Sequence, residues 1–83
     1  MLRTMEIIWV APGQTAPEGA AWFRVVELGP GLDYYRLDAN FAVPEELTIG
    51  FGAFNDAKQA ELAAIEAARR LGHSKVYQLS NDG

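Results

Sequence analysis

Two hydrophobic patterns divide the chain into a β-rich first half and a helical second half. Residues 5–11 read MEIIWVA and are apolar at successive positions, which is typical of a strand buried on both faces. After a loop rich in proline and glycine, residues 21–28 and 32–39 form two β-rich runs on either side of Gly29-Pro30-Gly31. This spacing predicts a β-hairpin whose turn consists of those three residues.

A helical pattern covers residues 56–71, where alanine, leucine and isoleucine recur at helical spacing. Asn55 or Asp56 is the expected N-cap, because a short polar side chain accepts a hydrogen bond from a free N–H of the first turn. Gly72 follows the pattern and suits the left-handed position beyond a helix end. The sequence therefore predicts one helix with a defined beginning and end.

The remaining segments predict shorter elements. Residues 44–46 are expected to form a single helical turn, and residues 47–51 a brief strand. Residues 75–79, KVYQL, predict a closing strand after a tight turn. The whole chain, residues 1–83, is expected to be one small globular domain of the α+β class. Its predicted architecture is an antiparallel or mixed sheet of three to five strands with one helix packed on one face, in the order β-β-β-(β)-α-β.

The apolar arc of the predicted helix is roughly 200° wide, which is more than one core-facing stripe requires. Two interpretations follow for the row Ala60, Ala63 and Ala67. In one, these alanines are good helix formers on a partly exposed flank. In the other, their small side chains let the same helix of a second copy approach about a two-fold axis, with Leu71 contributing to both fold and interface. The second interpretation predicts a homodimer.

The hairpin brings aromatic and basic side chains onto one face. With the predicted turn, Arg24 lies opposite Arg36, Val26 opposite Tyr34, Leu28 opposite Leu32 and Trp22 opposite Asp38. Phe23, Val25, Tyr35 and Leu37 then form the core side. The other side, called here the hairpin face, is expected to be exposed and consists of Trp22, Arg24, Val26, Tyr34 and Arg36. Like charges directly across two strands are unfavourable, so the arginine pair requires compensation.

The hairpin face has a structural and two functional interpretations. Asp38 and stacking of the guanidinium groups on Trp22 and Tyr34 are sufficient for a merely solvated surface. Alternatively the face binds a partner, since Trp, Tyr and Arg are enriched at binding hot spots, and a protein surface that bears carboxylates fits best. Aromatic and arginine side chains on a sheet also stack unpaired bases of single-stranded nucleic acid. The net charge of −4 and the seven Lys and Arg residues make nucleic acid the less favoured partner.

The composition of the chain excludes several kinds of site. The chain has no cysteine, which removes thiol nucleophiles, disulfides and cysteine zinc sites. His73 follows the helix end, where a cationic imidazole interacts favourably with the helix dipole, and the carboxylates have no metal-ligand spacing. We therefore expect no catalytic residue, no cofactor and no metal site. The apolar N-terminal stretch is too short for export or for a membrane span, so a cytoplasmic protein without membrane contact is expected.

These observations favour a non-enzymatic protein-interaction module, a small acidic α+β domain. Adaptor, regulatory subunit and inhibitor, including an inhibitor encoded by a phage, all fit this function. The predicted module is a homodimer that binds another protein through the hairpin face. The alternative is a single-stranded nucleic-acid-binding domain that uses the same face.

Overall fold

The computed structural model describes residues 5–29, 31, 34–48 and 53–80. These residues form a five-stranded mixed sheet with one α-helix packed on it, which confirms the predicted α+β class. The strands are β1 (Glu6–Trp9), β2 (Trp22–Glu27), β3 (Tyr35–Ala39), β4 (Ala53–Phe54) and β5 (Lys75–Gln78), and the helix α1 is Ala57–Arg70.

The closing strand lies inside the sheet rather than at its edge. The strand order is β1-β5-β2-β3-β4, with β5 parallel to both β1 and β2, and with β3 antiparallel to β2 and β4. β1 is consequently an edge strand, and the prediction that it is buried on both faces is wrong. The apolar side chains of β1 are only partly buried, and Trp9 at its end is 68% exposed.

The connection between β1 and β2, residues 10–21, is a crossover between parallel strands that flank β5. Such crossovers are right-handed. α1 joins β4 to β5 and crosses the sheet in the opposite direction. The same handedness rule therefore places the two connections on opposite faces of the sheet. Near the start of β5, Gly19 and Ala20 line a cavity together with Tyr77 and with residues 72–74, the turn that follows α1. We call residues 10–21 the crossover loop.

The segment before the helix follows the predicted helical turn but not the predicted strand. Glu45–Leu47 form a 3₁₀ turn that begins after Pro44, in agreement with the turn expected at residues 44–46. Leu47 belongs to that turn and not to a strand, while residues 49–51 of the predicted strand lie outside the described residues. The strand that the structure has here, β4, follows at Ala53–Phe54.

Both ends of α1 have the predicted caps. The Asp56 carboxylate accepts a hydrogen bond from the backbone N–H of Lys58 at 2.8 Å. At the other end Gly72 has φ 90°, and the N–H of His73 donates to the carbonyl of Ala68 at 3.0 Å. This is the Schellman arrangement, in which a glycine in the left-handed region lets the chain turn back towards the last helical carbonyls.

The alanine row is part of the core, which corrects the predicted dimer interface. Ala60, Ala63 and Ala67 are 0%, 5% and 1% exposed, so they are covered within one copy of the chain and are not accessible to a second. The sheet itself covers the wide apolar arc: Ala60 and Ala63 pack with Phe54, and the neighbouring Ala64 packs with Phe23 and Val76 on the sheet. Small side chains let the helix lie close to the strands.

Leu71, the fourth residue of the predicted interface, caps the C-terminus of α1 and is 55% exposed. One exposed leucine at a helix end is ordinary in a folded protein. The structure therefore provides no continuous surface from the four residues on which the dimer was predicted, and homodimerisation itself stays a prediction.

Candidate partner-binding face

The hairpin face lies on the side of the sheet opposite α1. Phe23, Val25 and Leu37 pack into the core beneath the helix. Because successive strand residues point to opposite sides, Trp22, Arg24, Val26 and Arg36 point away from it. Tyr34 precedes β3 on the same side and is 41% exposed. The five residues of the hairpin face therefore share one side, and their role in binding stays a prediction.

The register of the hairpin differs from the predicted one by two residues. Arg24 lies opposite Asp38 and Val26 opposite Arg36, and the N–H of Leu28 donates to the carbonyl of Tyr34 at 3.0 Å. The connection is thus longer than Gly29-Pro30-Gly31. A shift of one residue would exchange the two faces, whereas a shift of two keeps them. The unfavourable pairing of two arginines, which the shorter turn predicted, does not occur.

Asp38 is engaged by Arg36 rather than by Arg24. The Arg36 Nε donates to Oδ1 of Asp38 at 3.0 Å and its Nη2 donates to Oδ2 at 3.2 Å, which is a bidentate contact between neighbours on one strand face. The two side chains are 53% and 35% exposed, so the pair contributes no more than about 1 kcal/mol to stability. Its more important effect is to occupy the carboxylate closest across the sheet from Arg24.

Arg24 is a cation without an acidic partner among the residues that the structure describes. Its guanidinium carbon lies 6.0 Å from the centroid of the Trp22 ring, which confirms one of the two predicted stacking contacts. Its Nε is buried and has no hydrogen-bond acceptor. A buried donor without an acceptor costs about 1–3 kcal/mol. The hairpin face therefore has at its centre an oriented positive charge that no described carboxylate neutralises.

Two residues of this face were missed by the sequence analysis. The register places Ile8, Tyr77 and Trp22 side by side on β1, β5 and β2, as one row across the sheet on the side away from α1. All three are half-buried. No local pattern indicates that β5 inserts between β1 and β2, so the sequence alone gave no signal for Ile8 and Tyr77.

The other polar groups form structural contacts. Glu66 accepts hydrogen bonds from Arg69 Nη2 at 2.6 Å and from Arg70 Nε at 2.8 Å, and these bonds lower the pKa of Glu66 to about 2. Both arginines lie in the last turn of α1, where positive charge is favourable. His73 is exposed, and its ring centroid lies 6.2 Å from that of Phe41.

Within the described ranges no three His, Cys, Asp or Glu side chains come together as a metal site would require. In that same part of the chain, no helix has the length and apolar character needed to cross a membrane. The chain matches no protein-family model, no curated protein and no solved structure. Function is therefore inferred from the geometry of the hairpin face.

Proposed function

We propose that the protein is an interaction module that binds an acidic protein surface through the hairpin face, with Arg24 as the central contact. The observation that carries this proposal is the unpartnered guanidinium of Arg24, which is held over Trp22. A guanidinium already oriented by an aromatic ring loses little conformational freedom when a carboxylate binds to it. Binding therefore supplies a negatively charged partner that no described residue of the chain provides for Arg24.

The surroundings of Arg24 suit a protein partner. Tyr34 supplies exposed aromatic surface, Trp22 is half-buried, and Val26 adds an aliphatic contact two residues after Arg24 on β2. Hot spots of protein interfaces combine Trp, Tyr and Arg in this way, surrounded by contacts that exclude water. The Arg36–Asp38 pair is already neutral and lies beside this centre as a polar rim. A carboxylate of the partner seated on Arg24 fits this arrangement.

Titration with two probes tests the proposal. The indole N–H resonance of Trp22 is followed by NMR while a short oligoglutamate peptide is added, and separately while single-stranded oligothymidine is added. We expect the peptide to shift the Trp22 resonance in a saturable manner. The shift should disappear in Arg24→Gln and persist in Lys58→Gln, a matched loss of one charge at an exposed position of α1.

The result also separates the two classes of partner. If oligothymidine shifts the Trp22 resonance with a steep salt dependence and the peptide does not, the face binds single-stranded nucleic acid and the proposal is wrong. Equal effects of Arg24→Gln and Lys58→Gln would mean that only the overall charge matters. Absence of any shift with either probe would also contradict the proposal, provided that circular dichroism shows the variants to be folded.

A further inference from the structure

A groove lies on the α1 side of the sheet, at the carboxyl ends of the three parallel strands. It has a volume of about 340 Å³, and its walls include Trp9 from β1, Gln78 from β5, Glu27 from β2 and Glu61 from α1. Ligands of α/β proteins commonly bind beyond the carboxyl ends of parallel strands, and this volume lies within the range of small-ligand sites. The groove faces away from the hairpin face, so it is independent of the function proposed above.

The groove is acidic and aromatic. Glu27 and Glu61 are its acidic residues, and neither forms an ion pair with any described cation. Trp9, 68% exposed, and the half-buried Tyr35 complete the aromatic part of the wall. Carboxylates and the faces of aromatic rings both attract cations. The nearby N-terminus of α1 is already capped by the Asp56 carboxylate, which offsets the positive end of the helix dipole.

Gln78 gives an independent indication of a ligand. It lies opposite Trp9 on one side and Phe23 on the other, and both of these strand partners are on the α1 side, so its side chain points towards the base of the groove. Gln78 is 6% exposed, and its Oε1 is buried without a donor. The Gln78 amide thus lines the groove and has an acceptor oxygen that no described group of the chain satisfies.

We propose that this groove binds an organic ammonium cation on a short apolar stem. An ammonium group has three donors and no acceptor, which matches two carboxylates and an amide oxygen. The stem lies against Trp9 and Tyr35, where an alkyl chain removes apolar surface from water. A free primary amine and the side chain of a lysine in a peptide share this chemistry, and the experiment below separates the two sources.

The test follows the two indole N–H resonances by NMR, with Trp22 on the opposite face as an internal reference. The probes are butylammonium chloride, the neutral isostere 1-butanol, and a glycine peptide with one central lysine, all at constant ionic strength. We expect butylammonium to shift the Trp9 resonance with a millimolar dissociation constant and to leave that of Trp22 unchanged. Tighter binding of the peptide would identify a lysine side chain as the preferred source, and tighter binding of butylammonium a free amine.

Charge-matched variants decide whether the groove carboxylates are responsible. Glu27→Gln/Glu61→Gln should weaken butylammonium binding at least tenfold, whereas Glu18→Gln/Glu45→Gln, two exposed positions away from the groove, should leave it within twofold. Gln78→Leu should weaken binding while the charge stays the same. The proposal is overturned if 1-butanol shifts Trp9 as strongly as butylammonium, if both double variants weaken binding equally, or if none of the probes shifts Trp9.

Discussion

The close contact between α1 and the sheet makes an unusual pair of substitutions informative. Ala64 is 0% exposed and packs with Phe23 and Val76, whereas Leu62, two positions earlier on the same helix, is 54% exposed. Ala64→Leu adds an isopropyl group where the helix already lies against the strands. Leu62→Ala removes the same group from the surface. The larger residue should therefore destabilise the fold, and the smaller one should not.

The expected loss of unfolding free energy in each variant follows from the packing at its position. Inserting carbon atoms into a filled core costs about 1–3 kcal/mol, because side chains leave their preferred rotamers or the helix moves off the sheet. A chain of 83 residues has an unfolding free energy of only about 4–12 kcal/mol, so the loss is a large fraction of the total. Leu62→Ala, at an exposed position of a helix, should change the unfolding free energy by no more than about 0.5 kcal/mol.

Urea unfolding followed by circular dichroism measures both variants. With a slope of about 1 kcal/mol per molar urea, Ala64→Leu should lower the midpoint by about 1 M or more, and Leu62→Ala should leave it nearly unchanged. Light scattering of the same samples records the oligomeric state. A folded Ala64→Leu variant of unchanged or higher stability would refute the close helix–sheet packing, and so would a loss of more than about 1 kcal/mol in Leu62→Ala.

Three further predictions concern α1 and its ends. Hydrogen bonds from Arg69 and Arg70 lower the pKa of Glu66 from 4.5 to about 2. The stability that these bonds give is therefore present above pH 4.5 and is lost as the pH falls towards 2. Urea titrations at a series of pH values should show this loss in the wild type and not in Glu66→Gln. Gly72→Ala should cost about 1–2 kcal/mol by the same urea assay, because alanine is strained at φ 90°. Asp56→Ala should cost about 1 kcal/mol through loss of the N-cap, whereas Asp56→Asn should restore most of it.

The sequence was sufficient for features that depend on near neighbours. The ends of α1 follow from Asp56 and Gly72, whose side-chain and backbone preferences act within one turn. The sides of β2 and β3 follow from alternation, which survives the difference in register because the shift is an even number of residues. Membership of the hairpin face could therefore be predicted, while the partner of Arg24 across the strands could not, since that depends on the length of the connection.

Features that depend on distant pairing could not be predicted. Ile8 pairs with Tyr77 through the insertion of β5 between β1 and β2, and no local residue pattern encodes that insertion. The width of the apolar arc of α1 does not identify what covers the arc, for a related reason. A sheet and a second helix both cover alanines, so the sequence of Ala60, Ala63 and Ala67 does not distinguish them. Only the structure shows that the sheet takes this role.

The two candidate sites lie on opposite sides of the sheet. α1 lies on one side and leaves a groove where its first turns meet the carboxyl ends of the parallel strands. The hairpin face lies on the other side, where Tyr34 and Arg36 are exposed and Trp22, Arg24 and Val26 are half-buried. Because the sheet separates the sites, Arg24→Gln should leave the butylammonium titration of Trp9 unchanged. Glu27→Gln/Glu61→Gln should likewise leave the response of Trp22 to oligoglutamate unchanged, apart from the small effect of overall charge, and a mutual loss of binding would show that the two sites are not independent.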